Sequence, residues 1–113
     1  MTFEEFQAAA RRTVNPALDT DDRLMDAAAG LAEEAGEVLG LVRKRAFQGR
    51  AVSEDQLRNE LGDALWCLAI TADSLGISLD EVAAANIEKL RRRHPTGFDA
   101  ERTADEWSRS PRE

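Results

Sequence analysis

Cysteine, histidine, proline, aromatic residues and positive charge are all scarce in this chain. Its 113 residues include a single cysteine, Cys67, which excludes an intramolecular disulfide. Cys67 lies in an apolar stretch and is expected to pack as a small hydrophobe. Fifteen Lys and Arg stand against 22 Asp and Glu, for a net charge of −7. That balance speaks against a nucleic-acid groove or a site for anionic membranes. An acidic protein that handles phosphates needs metal ions or a local basic patch. No apolar run approaches the length of a membrane span, and Glu4 and Glu5 interrupt the N-terminus where a signal peptide would be apolar. The expected location is the cytoplasm. No Gly-rich loop of the Walker type is present, so a P-loop mechanism is excluded. No stretch alternates in the manner of a strand, so the expected class is all-α.

What is present is helical signal. Thr2 with Glu5 fits a capping box for a first helix over about 2–13, with Phe3 and Phe6 on one face, ended by Asn15-Pro16. Thr20, Asp21 and Asp22 are candidate caps for a second helix reaching Phe47, closed by Gln48-Gly49. Its apolar seam reads Leu24, Ala28, Leu31, Ala35, Val38, Val42. Ser53 with Gln56 caps a third helix whose seam is Leu57, Leu61, Leu65, Leu68, Ala72 and Leu75, stopped by Gly76. Ser78 with Glu81 caps a fourth through Val82, Asn86, Leu90 and Arg93, ended by Pro95. The expected organisation is one four-helix, bundle-like domain over 1–98 and a polar tail over 99–113 that contains Trp107. A second helix from Asp22 to Phe47 would be roughly 40 Å long at about 1.5 Å per residue. That is long against a radius of gyration of roughly 13 Å for a domain of this size, which favours a homodimer or homotetramer.

Two short motifs echo each other. Glu34-Ala35-Gly36-Glu37 and Glu60-Leu61-Gly62-Asp63 both read Glu, apolar, Gly, acid. Positions three apart share a helix face, so each motif presents two carboxylates side by side. Glu34 and Glu37 border the seam and share a stripe with Ala27, Gly30 and Leu41. If the helices pack together, four carboxylates converge at the edge of a core, an arrangement that calls for a cation. Arg43, Lys44 and Arg45 lie a full turn or more beyond Glu37, so a metal is the better partner. Oxygen-only donors select Mg²⁺, Mn²⁺ or Ca²⁺ over zinc. A helical glycine costs about 1 kcal/mol against alanine, so Gly36 and Gly62 suggest close approach of the two helices, with Gly30 and Gly40 adding to that. A dimetal oxygen-activating bundle would use Glu-x-x-His motifs, and His94, the single histidine, lies outside both motifs.

The segments Gly30-Leu31-Ala32-Glu33-Glu34-Ala35-Gly36-Glu37-Val38 and Glu60-Leu61-Gly62-Asp63-Ala64-Leu65-Trp66 resemble the MazG-like nucleotide pyrophosphohydrolases of the all-α NTP pyrophosphatase superfamily. Asn86-Ile87-Glu88-Lys89-Leu90, Arg92-Arg93-His94-Pro95 and Gly97-Phe98 resemble the closing segment of that family. The resemblance implies Mg²⁺-dependent hydrolysis of a nucleoside triphosphate to the monophosphate and pyrophosphate, with Mn²⁺ as a substitute ion and a role in clearing surplus or non-standard nucleotides. It implies Glu34, Glu37, Glu60 and Asp63 as metal ligands, and Asn86 and Lys89 as contacts to substrate phosphate, with Arg93 assisting. Glu33, adjacent to the ligands but in neither pair, is the candidate to orient or deprotonate water. Trp66, one turn beyond Asp63, is a candidate to stack on a base and equally a candidate core residue. Two rivals remain at this level: phosphoribosyl-ATP pyrophosphohydrolase, and a non-catalytic helical interaction module.

Overall fold

A computed structural model of the chain describes residues 1–102. Trp107 and most of the expected tail lie outside the described residues. Helix α1 spans Phe3–Arg11, α2 Thr20–Phe47, α3 Glu54–Ser74 and α4 Leu79–Arg93. Among the described residues no strand forms. The single β-type contact among them is an isolated bridge from Pro95 to Gly97, so the chain is all-α as expected.

The helix ends follow local chemistry. Thr2 is extended, and its hydroxyl oxygen accepts the Glu5 N–H at 3.0 Å, which relieves one of the unpaired donors of the first turn. The cap of α2 is Asp19, whose Oδ1 accepts the Asp22 N–H at 2.8 Å. The cap expected among Thr20, Asp21 and Asp22 therefore moves back in the chain, because Asp19 alone stands in the extended conformation that aims an acceptor into the first turn. At the other end the Gln48 and Arg50 N–H groups both donate to the Lys44 carbonyl, at 3.1 and 3.2 Å, with Gly49 at φ 62° making the reversal. Ser53 and Gln56 form the full reciprocal box, Gln56 N–H to Ser53 Oγ at 3.1 Å and Ser53 N–H to Gln56 Oε1 at 2.9 Å. Gly76, at φ 70°, ends the α3 turn as the Ile77 N–H donates to the Ala72 carbonyl at 2.9 Å. At the start of α4, Ser78 Oγ accepts from the Asp80 N–H at 3.2 Å.

The chain divides into two compact units, Met1–Asp80 and a second beginning at Glu81. In the first, α2 packs on α3 and α1 packs on α3. Gly30 meets Cys67, while Glu34, one turn further along α2, meets Glu60 and Asp63, one to two turns earlier in α3. Progress along one helix is retreat along the other, so α2 and α3 are antiparallel. The core is Ala10, Ala27, Ala69, Ile70 and Leu79, with Phe6, Val14, Leu65 and Trp66 packed against it. Its members are mostly small, which brings the helices close.

Half of each expected seam lies inward, Leu24, Leu31 and Val38 of α2 and Leu57, Leu65 and Ala72 of α3 being buried or partly buried, and the other half is corrected. Leu61, Leu68 and Leu75 of α3 are exposed in the single chain, as are Ala28, Ala35 and Val42 of α2. The inner face of α2 runs through Leu24, Leu31 and Val38 of that seam together with Ala27, Gly30, Glu34 and Leu41. The stripe expected to border the seam is thus part of the inner face, and Glu34 lies within it.

One buried polar side chain ties three segments together. Gln7 is 4% exposed. Its Nε2 donates to the carbonyls of Ala69 at 3.2 Å and Ile77 at 3.0 Å, and its Oε1 accepts the Leu79 N–H at 3.0 Å. Nearby, Arg11 of α1 donates from Nε to Asp73 of α3 at 2.7 Å. That hydrogen bond, then the charge of Asp73, raises the Arg11 pKa further above its ordinary value. The pair is half-exposed and adds little stability.

In the second unit, Arg92 approaches Glu88 at 3.7 Å, and the rings of His94 and Phe98 lie 6.0 Å apart. Val82, Asn86 and Leu90, expected along an apolar line of α4, are all exposed in the single chain. No helix among the described residues is long and apolar enough to cross a membrane.

Candidate metal centre

Helical spacing decides which acids meet. Glu34 projects from the inner face of α2, and Glu60 and Asp63 project three residues apart from one face of α3. Carboxylate oxygens of these three residues lie within 4.8 Å of one another. Glu34 and Glu60 are partly buried and Asp63 is exposed, so the cluster opens to solvent on one side. Glu37, the fourth acid expected there, is exposed one turn along α2 and is not among the three. Glu33 is exposed beside Glu34.

The electrostatics record the crowding. The Glu34 carboxyl is held above its ordinary pKa, first by a hydrogen bond with the Glu60 carboxyl, then by partial desolvation, then by the negative charge of Asp63, Glu60 and Glu33. A proton is one answer to that repulsion; a cation is another. The donors are all carboxylate oxygens, the set that hard divalent ions prefer. The arrangement therefore fits a hard divalent ion and not a soft metal.

Cys67 lies one turn beyond Asp63 and is buried. Burial pushes its thiol pKa up, and the charges of Glu34, Asp63, Asp26 and Glu33 push it further. It is therefore a protonated packing residue, as the sequence suggested. Its Sγ stands 3.0 Å from where a Cβ on Gly30 would lie. Among the described residues, a Cβ on Gly36, Gly40 or Gly62 would meet nothing within 4 Å. The close approach expected at Gly36, Gly40 and Gly62 is therefore absent among the described residues, and it occurs at Gly30.

Trp66 packs against the core, and its indole N–H donates to Thr13 Oγ1 at 2.8 Å. Those contacts account for its partial burial without a ligand. Asn86, Lys89 and Arg93 share one face of α4 by their spacing, and all three are exposed. Sequence reasoning missed Gln7. The signal was available: a lone amide on the Phe3, Phe6, Ala10 stripe of α1.

Comparison with known proteins bears on this site. Over 72 residues the chain is 39% identical to the gene 37 protein of Mycobacterium phage L5, covering 60% of this chain and 63% of the phage protein. Over 72 residues it is 38% identical to an uncharacterized protein, YvdC, of Bacillus subtilis (strain 168), covering 56% of this chain and 68% of that protein. The match thus spans less than two-thirds of the phage relative. No solved structure shows significant similarity to the chain. The MazG nucleotide pyrophosphohydrolase domain matches residues 24–98, which take in the whole of the acidic cluster and α4, and the chain belongs to that family.

Proposed function

We propose that the chain is a Mg²⁺-dependent hydrolase of nucleoside triphosphates, releasing the monophosphate and pyrophosphate, with Mn²⁺ as a substitute ion. The observation that carries this reading is the meeting of Glu34, Glu60 and Asp63 across two antiparallel helices. Those three residues would hold the cation, and Glu37 stands one turn away to join them. When bound, the cation supplies the positive charge that lets a polyphosphate approach an acidic surface and that stabilises charge developing on phosphate oxygen. Glu33, exposed beside the cluster, orients the attacking water and takes its proton. Asn86, Lys89 and Arg93 contact substrate phosphates from their shared face of α4. Residues 1–98 act as one domain, in the cytoplasm, in nucleotide-pool house-cleaning. Met25, Leu39, Phe47 and Leu61 are at least 58% exposed in the single chain, and that exposure supports a homo-oligomer that would cover them.

Pyrophosphate release is measured from a panel of nucleoside triphosphates and phosphoribosyl-ATP, with and without Mg²⁺, for the native chain, Glu37→Gln and Asp63→Asn. Turnover that needs Mg²⁺ and collapses in Asp63→Asn is expected. Absence of turnover on the whole panel refutes the hydrolase reading, and turnover that survives both substitutions refutes the site.

A further inference from the structure

Gly30 and Cys67 lie one helical turn from the acidic cluster, on the faces of α2 and α3 that carry it: Gly30 is four residues before Glu34, and Cys67 four residues after Asp63. Side chains four apart stack on one another, so this contact and the cluster are adjacent layers of one interhelical face. The α2 backbone at Gly30 approaches Cys67 so closely that a Cβ there would stand 3.0 Å from Sγ, at least 0.4 Å inside ordinary contact, which begins at 3.4 Å. Gly36, Gly40 and Gly62 have open space at the same point. Among the described residues, Gly30 is the one helical glycine whose Cβ position a neighbour on the facing helix crowds. We propose that the missing side chain at Gly30 lets α2 sit against Cys67 at the separation the cluster needs, making Gly30 a positioning residue for the cation.

The physical basis is leverage. Carboxylates that share one ion must be held within about 0.5 Å of the productive geometry by the shell that supports them. A Cβ at Gly30 must push Sγ aside or part the helices, and parting them one turn from Glu34 displaces it from Glu60 and Asp63. Cys67 senses the same neighbourhood, since the charges of Glu34 and Asp63 act on its thiol.

This inference rests on reading the cluster as a divalent-cation site, and its test uses Mn²⁺ alone, without nucleotide. Mn²⁺ affinity is measured by electron paramagnetic resonance on the full chain for native, Gly30→Ala, Cys67→Ala, Gly30→Ala/Cys67→Ala and Gly40→Ala, with far-UV circular dichroism confirming the fold of each. Gly30→Ala should weaken Mn²⁺ binding about tenfold, the lower end of what disturbed supporting residues cost a metal site. Cys67→Ala and Gly40→Ala should bind as the native chain does. The double variant should recover native affinity, because removing Sγ restores the room that the added methyl group needs. Recovery separates positioning from a general loss of stability, which a second truncation would deepen. Should Gly30→Ala not fold, Cys67→Val enlarges the contact from the facing helix and should weaken Mn²⁺ binding in the same way. Native affinity in a folded Gly30→Ala, or a double variant no better than the single, overturns the proposal. A native chain that binds Mn²⁺ yet releases no pyrophosphate overturns the hydrolase reading and leaves this one standing.

Discussion

Replacing Gln7 by methionine keeps the length and shape of the side chain and removes all of its hydrogen bonding. The structure fixes what is lost. Ala69 lies within α3, so its carbonyl can still accept the helical bond from four residues on. The Ile77 carbonyl, at 3.0 Å from Nε2, has no such helical partner. The Leu79 N–H, at 3.0 Å from Oε1, belongs to the first turn of α4, where no intrahelical acceptor exists. Two backbone groups left unsatisfied at about 1–3 kcal/mol each amount to about 2–6 kcal/mol. Apolar burial of the methionine returns part of this, leaving a loss of about 3 kcal/mol. Against a domain stability of about 5–15 kcal/mol, that is a large fraction. Urea titration followed by far-UV circular dichroism should show a lower midpoint at unchanged slope, and the melting temperature should fall by roughly 12 °C or more. Gln7→Glu supplies an independent check. It keeps an acceptor for Leu79 but turns a carboxylate toward two carbonyl oxygens, so its folded-state pKa must rise. A native state that holds the proton more tightly than the unfolded chain gains stability as pH falls through that pKa. Gln7→Glu should therefore recover at acid pH and Gln7→Met should not. A loss below about 1 kcal/mol in Gln7→Met would refute the accounting.

The crowded acids give a second expectation. Because Glu34 is raised above its ordinary 4.5, the metal-free protein should gain stability from this group as pH falls from above its folded pKa toward 4.5. Glu34→Gln should remove that dependence, raise the melting temperature in chelator, and lose the stabilisation that Mg²⁺ gives the native chain, all readable by thermal denaturation. Gly36→Ala, with open space around its Cβ, should stabilise α2 by about 0.5–1 kcal/mol in urea titration. A loss there would mean that another surface covers Gly36. Trp66→Phe deletes the bond to Thr13 and should cost about 1 kcal/mol while leaving the substrate KM unchanged; a raised KM would return the ring to the substrate.

The features that sequence predicts well are those written over four or five neighbouring residues. The Ser53–Gln56 box, the Thr2 cap and the reversals at Gly49 and Gly76 each depend on contacts within one turn, so the letters suffice. The Asp19 cap was missed because Asp19-Thr20-Asp21-Asp22 offers several equivalent acceptors, and backbone conformation selects among them. The seams were rotated for a different reason. Counting leucines finds Leu61 and Leu68, whereas the helices meet through Ala27, Gly30 and Ala69, whose small size permits the approach but leaves no hydrophobic mark. Glu34, Glu60 and Asp63 were legible because carboxylates repeated at i, i+3 are conspicuous on a helix face. Glu37 has the same spacing, yet only Glu34 lies on the inner face of α2. Gln7 stands out as an amide on an apolar stripe, but its partners are illegible because they lie 62 to 72 residues away.

That long reach has a consequence for the order in which the chain assembles. Closing a loop costs more entropy as it lengthens, so contacts between near neighbours form first and the most distant ones last. The α2–α3 hairpin, joined by a short connection, belongs to the early part, and the Gln7 staple to the late part. The three mutually repelling carboxylates are therefore gathered before the structure that finally locks α1 to α3 is complete. Repulsion at that stage sits in the folding barrier and not only in the finished protein. A counter-ion that relieves it would shorten the time the nascent hairpin spends half-made, so ion supply would set the rate at which working molecules appear as well as how long they persist.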